Sequence, residues 1–394
     1  VVFTDLAFLN VGCCFDPLGD LTRVTLQHMT FTNVFSFFTN DLNNLGAFRT
    51  EDAYLNDTLT FDDIVGRGFS IGGVRIGQRH HRLSMSNLDL DAQKQACDNF
   101  CEVIHVSGTT QLSTDSDWLA LNPGGGHILD TAELQGAYYF SSSPNYPNNL
   151  FANADGYADE SNVRGALLKN VYSHDNTDAA FDCKSKARVC NDCVAKFSKE
   201  DVKEWAEDAV WNNLETDSPV KQIGTGGIGH ISIFGSGTPP YPVKPTFNNL
   251  KVRDTLNTKA ALVLMHGSAA GAVHEPVFDT YDIVLPVGTV ALDDSAAPNS
   301  LSPHFNPPLP TIDLAVNYRD GFTTGRFANG TTAGTAIADL AVTGSGSAGA
   351  VLELIAAGGL TLDGTVLKLA ATLDADAMPY NGFTVRATSP EGLA

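Results

Sequence analysis

The chain has 394 residues, 43% of them hydrophobic, with Lys+Arg 24 against Asp+Glu 45 and a net charge of -21. Its length exceeds an average single domain, so two domains or one long solenoid are the starting expectation. The acidic balance argues against sequence-independent nucleic-acid binding, which needs basic patches, and no apolar run approaches the ~20 residues of a membrane-spanning helix.

A short phrase recurs from the first residues onward. Its copies are Phe3-x-Asp5-Leu6-x-Phe8, Leu26-x-His28-Met29-x-Phe31, Phe61-x-Asp63-Ile64, Met85-x-Asn87-Leu88-x-Leu90, Leu168-x-Asn170-Val171, Phe247-x-Asn249-Leu250-x-Val252 and Phe278-x-Thr280-Tyr281-x-Ile283. In each, a short strand turns an apolar side chain inward. An Asn or Asp then bends the backbone, because its side chain bonds locally and tolerates a left-handed conformation. Stacking such rungs buries the apolar positions and leaves a ladder of turn residues. The pattern predicts a parallel solenoid over 1–290, with degenerate rungs or large loops in its two longest intervals. Asn122 to Gly126 and Ser141 to Asn149, rich in Gly, Pro, Ser and Asn, read as loops projecting from that body.

The seven cysteines leave at least one thiol unpaired or bonded between chains. Cys97-x3-Cys101 and Cys190-x2-Cys193 are spaced for local disulfides, while Cys183, Cys190 and Cys193 with a nearby His are a possible zinc set that lacks paired CxxC motifs. Ser198 to Trp211 opens with Ser and acidic residues and spaces Val202, Trp205, Ala206 and Ala209 on one face, which predicts a short helix near 198–213. Ala296 to Ser300 and Asn306 to Pro310 mark a linker over 291–310. Short alternating runs over 311–394 predict a small β-sandwich. The first residues already look strand-like and the last read as a linker, so both ends are expected to continue into a longer polypeptide.

The rung phrase resembles that of the secreted right-handed parallel β-helix proteins of the pectate-lyase-like superfamily, and Asn176-Thr177-Asp178-Ala179-Ala180-Phe181-Asp182-Cys183-Lys184-Ser185 is similar to their Asn-x-Asp-Gly-Gly-Phe-Asp-x-Lys-Ser segment, with Ala179 and Ala180 in place of the glycines. The C-terminal piece resembles bacterial cadherin-like repeats, through Ala333-Gly334-Thr335-x-Ile337-Ala338-x-Leu340 and the segment Leu373 to Thr388. The resemblance implies an all-β chain, a β-helix followed by a cadherin-like sandwich. Such modules often bind calcium between repeats, but Asp376 stands where Glu is usual and Ser389 where Asp is usual.

Asp175, Asp178 and Asp182 are a candidate oxygen cage for Ca2+, with Lys184, Lys186 or Lys199 as the base of a polysaccharide lyase; equally, Asp is the ordinary turn residue of a rung. Arg79, His80, His81 and Arg82 form a basic knot suited to an anionic sugar, or to neutralising nearby acids, and Trp205 can stack on a sugar ring or pack onto the body. There is no nucleophile elbow, phosphate loop or pair of glutamates for glycoside hydrolysis. Two functions follow as expectations. One is part of a large extracellular or cell-surface structural or adhesive protein, whose partners are polysaccharide, copies of itself or further domains of the same polypeptide. The other is a secreted lyase or epimerase acting on an acidic glycan.

Overall fold

The computed structural model describes residues 1–41, 52–97, 102–139, 154–223, 226–235, 241–266, 273–286, 288–309, 313–319, 336–343, 351–356, 360–369 and 384–388. The chain divides into two compact units, Val1–Ile283 with Leu292–Pro307, and Val284–Ala291 with Pro308–Ala394.

The first unit is one large, mostly parallel sheet in which each pass of the chain pairs with the pass before it, an arrangement compatible with a solenoid. Along one row of this sheet, Phe3 pairs with Leu26, Leu26 with Phe61, Phe61 with Met85, and Met85 with Leu129. The row continues through Leu168, Cys190, Trp211 and Phe247. From Leu26 to Phe278 its side chains are essentially inaccessible to solvent. Its upper part is a pile of rings: Trp211 to Phe247 at 6.3 Å, Phe247 to Phe278 at 5.1 Å and Phe278 to Phe305 at 4.5 Å, all nearly parallel.

The residue two places after each row member bends the backbone. All seven positions proposed for this role have positive φ: Asp5, His28, Asp63, Asn87, Asn170, Asn249 and Thr280. Three passes escaped the phrase, and they bend at Thr131, Asp192 and Asn213, also with positive φ. Side-chain amides bridge neighbouring bends, Asn213 to Asp192 at 2.8 Å and Asn249 to Asn213 at 3.1 Å. A parallel ladder runs beside them through Asn191, Asn212 and Asn248.

Three expectations are corrected here. The stretch 198–213 is not helical: it holds the strands Glu200–Glu204 and Val210–Asn212. Val202 fits between Phe181 and Ile231, and Trp211 between Cys190 and Phe247, so parallel neighbours on both sides outweigh the local helical spacing. Among the described residues the α-helix is Ser116–Leu121, capped by the Asp115 carboxylate and anchored by buried Trp118. Part of the expected linker is strand: Leu292–Asp293 and His304–Asn306 extend the parallel sheet. The Asn122 to Gly126 loop is packed rather than projecting, since Asn122 donates to the carbonyls of His127 and Gly165, and a Cβ on Gly126 would lie 2.0 Å from the Arg164 carbonyl. Ser141 to Asn149 lies outside the described residues, as does Cys101.

The second unit contains antiparallel sheets. One orders Asp313–Tyr318, Ala336–Thr343, Val366–Leu369 and Leu360–Asp363, and the other pairs Val351–Ala356 with Thr384–Thr388. The calcium-linked positions Asp376 and Ser389 lie outside the described residues.

Candidate functional site

A second run of parallel strands, Ile104–Val106, Tyr157–Asp159, Ala179–Cys183, Glu200–Glu204, Gly229–Phe234 and Ala261–His266, carries most of the chemistry. Phe181, Val202, Ile231 and Val263 align and are fully buried. Strand alternation puts the intervening Asp182, Lys203 and Ser232 on the opposite side of the sheet. One step further along, Trp205, Phe234 and His266 stack at 4.2 and 4.6 Å, with the Lys184 ammonium 5.6 Å from the centre of the Trp205 ring.

Around this row charged groups are packed with little access to water. Asp178 meets two ammoniums, Lys203 on Oδ2 and Lys199 on Oδ1 at 3.3 Å. Burial pulls both members of the Asp178–Lys203 pair toward neutrality. Asp178 stays above the usual carboxylate range despite its two ammonium neighbours, while Asp178, Asp155, Glu200 and Asp182 outweigh burial at Lys203 and hold its ammonium above its ordinary range. Glu200 lies 3.1 Å from His266 Nε2 and 3.6 Å from Lys199. Although burial raises it, the His266 contact and the Lys203 and Lys199 ammoniums bring its carboxyl down to about 2. Asp155 accepts from the Ala179 amide at 2.7 Å, and burial drives its carboxyl well above the usual range. A neighbouring cluster links Arg75 to Asp41 at 3.0 Å, Glu102 at 2.6 Å and His105 at 3.0 Å.

The lysines proposed as a base are engaged. Lys184 bridges Glu160 at 2.8 Å and Asp182 at 3.1 Å; burial works against its charge, but the two carboxylates outweigh it and hold the ammonium above its ordinary range. Lys186 stands apart, paired with Glu207 at 3.1 Å and 5.4 Å from the Tyr241 ring centre. Lys199 belongs to the Asp178 cluster. The proposed calcium cage does not assemble: Asp175 pairs with His174 at 2.6 Å, Asp178 with Lys199 and Lys203, and Asp182 with Lys184 and, at 2.7 Å, with Trp205 Nε1. Among the described residues no three His, Cys, Asp or Glu side chains gather closely enough to hold a metal ion, which covers the cysteine-based zinc set as well. Cys183, Cys190 and Cys193 are buried free thiols.

The basic knot is divided by burial. His80 is fully buried beside His127, and burial brings it down to about 3, so it is a neutral core side chain. His81 and Arg82 both contact Asp57, at 3.1 Å each, and Arg82 also reaches Asp115 at 3.2 Å. Arg79 is half-buried at the start of the strand Arg79–Asp91.

No family model matches the chain, and no curated protein or solved structure matches it. Sequence reasoning missed Asp155, Glu200, Lys203, Phe234 and His266. Only the register of adjacent passes joins them. The Lys199-Glu200-Asp201-x-Lys203-Glu204 run carried a usable signal, since a charged stretch with a single central Val also fits a strand whose charges pair across passes.

Proposed function

We propose that the parallel sheet is the wall of a right-handed parallel β-helix of the pectate-lyase-like kind, followed by a cadherin-like module. On this reading the chain is part of an extracellular or cell-surface structural or adhesive protein that contacts glycans or copies of itself. The observation that carries the reading is that the chemistry-bearing groups of the second strand run are turned toward one another from pass to pass. The lysines meet carboxylates and the rings meet rings. A lyase base must instead be able to give up its proton near the substrate, and a buried ammonium held by carboxylates is poorly placed to do so.

The test is incubation with pectate, alginate and neutral glucans, with and without calcium. Ultraviolet absorbance of unsaturated products is followed in parallel with sedimentation of the protein on insoluble polysaccharide. Binding without product is the expected result. Unsaturated product from any of these glycans would return the lyase to first place.

A further inference from the structure

The outward side of the first strand row carries a two-part strip that lies outside the charged cluster. The row members Leu129, Leu168, Cys190, Trp211 and Phe247 are buried, and the residues flanking each of them are at least partly open to solvent, as strand alternation requires. On one flank Ile128, Leu167, Val189 and Val210 pair in succession and make an apolar column. On the other flank Asn191, Asn212 and Asn248 make an amide column, with the bend residues Asp192, Asn213 and Asn249 exposed beside it. An Asn amide offers two N–H donors and an oxygen with two lone pairs. Asn212 donates to Asn191 and accepts from Asn248, both at 2.8 Å; Asn213 does the same between Asp192 and Asn249, at 2.8 and 3.1 Å. Each amide therefore keeps one donor and one acceptor for an outside partner, and the ladder already fixes its orientation.

We infer that this strip binds a neutral, extended β-linked polysaccharide lying across the strands, one sugar to a pass. The inference rests on the glycan-contacting reading above and names the glycan class and its site. A pyranose ring has an apolar C–H face and a rim of hydroxyls, each both donor and acceptor. The face suits the Val189 and Val210 column and the rim suits the amides. Parallel passes lie about 4.8 Å apart, close to the length of one sugar in an extended chain, so the fit repeats from pass to pass. Charge selects the neutral polymer. The lysines bordering the strip are engaged, Lys169 by Asp130 at 3.1 Å and Lys196 and Lys251 by Glu215 at 2.8 and 2.7 Å, and a chain of net charge -21 repels a polyuronate.

The test is a co-sedimentation isotherm of the full chain on microcrystalline cellulose, beside its retardation in native gels containing alginate. The wild type should bind cellulose and run freely through alginate. Two double variants probe the two halves of the strip, Asn212→Ala/Asn248→Ala for the amides and Val189→Thr/Val210→Thr for the apolar column. Each should raise the dissociation constant on cellulose about tenfold while keeping the wild-type circular dichroism. If one variant fails to fold, the other decides. The inference is overturned if the wild type does not bind cellulose, or if a folded double variant binds it as tightly as the wild type does. Retardation by alginate without binding to cellulose would overturn the strip and leave the adhesive reading standing, whereas unsaturated product from a glycan would overturn that reading instead.

Discussion

Replacing Phe247 by Ala removes the centre of the ring pile. The side chain is fully buried, with Trp211 on one face at 6.3 Å and Phe278 on the other at 5.1 Å. A large-to-small change in such a place costs about 3–5 kcal/mol, and the two ring contacts put this site at the upper end. Phe305 is the internal control: it is only half-buried and stacks on Phe278 alone in the pile, so Phe305→Ala should cost about 1–2 kcal/mol. Urea unfolding followed by tryptophan fluorescence is the assay, because Trp211 lies directly against the substituted ring. Stacked passes contact mainly their neighbours, so local loss near Trp211 can precede the rest, and far-ultraviolet circular dichroism is needed beside the fluorescence. If Phe247→Ala costs less than Phe305→Ala, the continuous buried row is wrong.

Other tests probe the bends, the buried charges and the buried imidazoles. At Asn213, where φ is 56°, Gly should lose only the exposed ladder bonds, at most about 1 kcal/mol, while Val should add about 1–2 kcal/mol of left-handed strain; equal unfolding midpoints would contradict this. Arg188 is fully buried and paired with Glu204, with Asp159 at 3.6 Å, so Arg188→Met should cost about 3–5 kcal/mol in urea, and adding Glu204→Gln should recover part of it. An additive or larger loss in the double variant would reject the pairing. Burial lowers His80 and His127 to about 3 and His230 to about 4, so the unfolded chain takes up protons first as pH falls. Their contribution is therefore full above about pH 6.5 and is lost as pH drops toward 4. Asp155 and Asp201, raised by burial, act in the opposite direction. The comparison is thus wild type against His80→Gln/His127→Gln from pH 7 to 4.5, and an unchanged difference across that range would count against neutral buried imidazoles.

The bends and the inward row were legible because both are local: an apolar residue, one spacer and an Asn or Asp encode the strand and its corner within four positions. Thr131 was missed because Thr seldom takes the left-handed conformation. The passes at Cys190 and Trp211 were missed because their inward residues invited other readings, a thiol ligand and a helix face. The candidate site was less legible. Asp178, Asp182, Lys184 and Lys199 stood out as chemistry, yet their partners Asp155, Glu160, Glu200 and Lys203 sit on neighbouring passes.

By itself, the amino-acid order determined that the chain would form short strands ending in polar corners, and which side chains would face inward, since side-chain alternation and left-handed tolerance are properties of a few adjacent residues. Only the tertiary structure decided which charges meet. Register between passes brings together residues more than twenty positions apart, and moving one pass by a single residue would turn Lys203 away from Asp178 and toward the core.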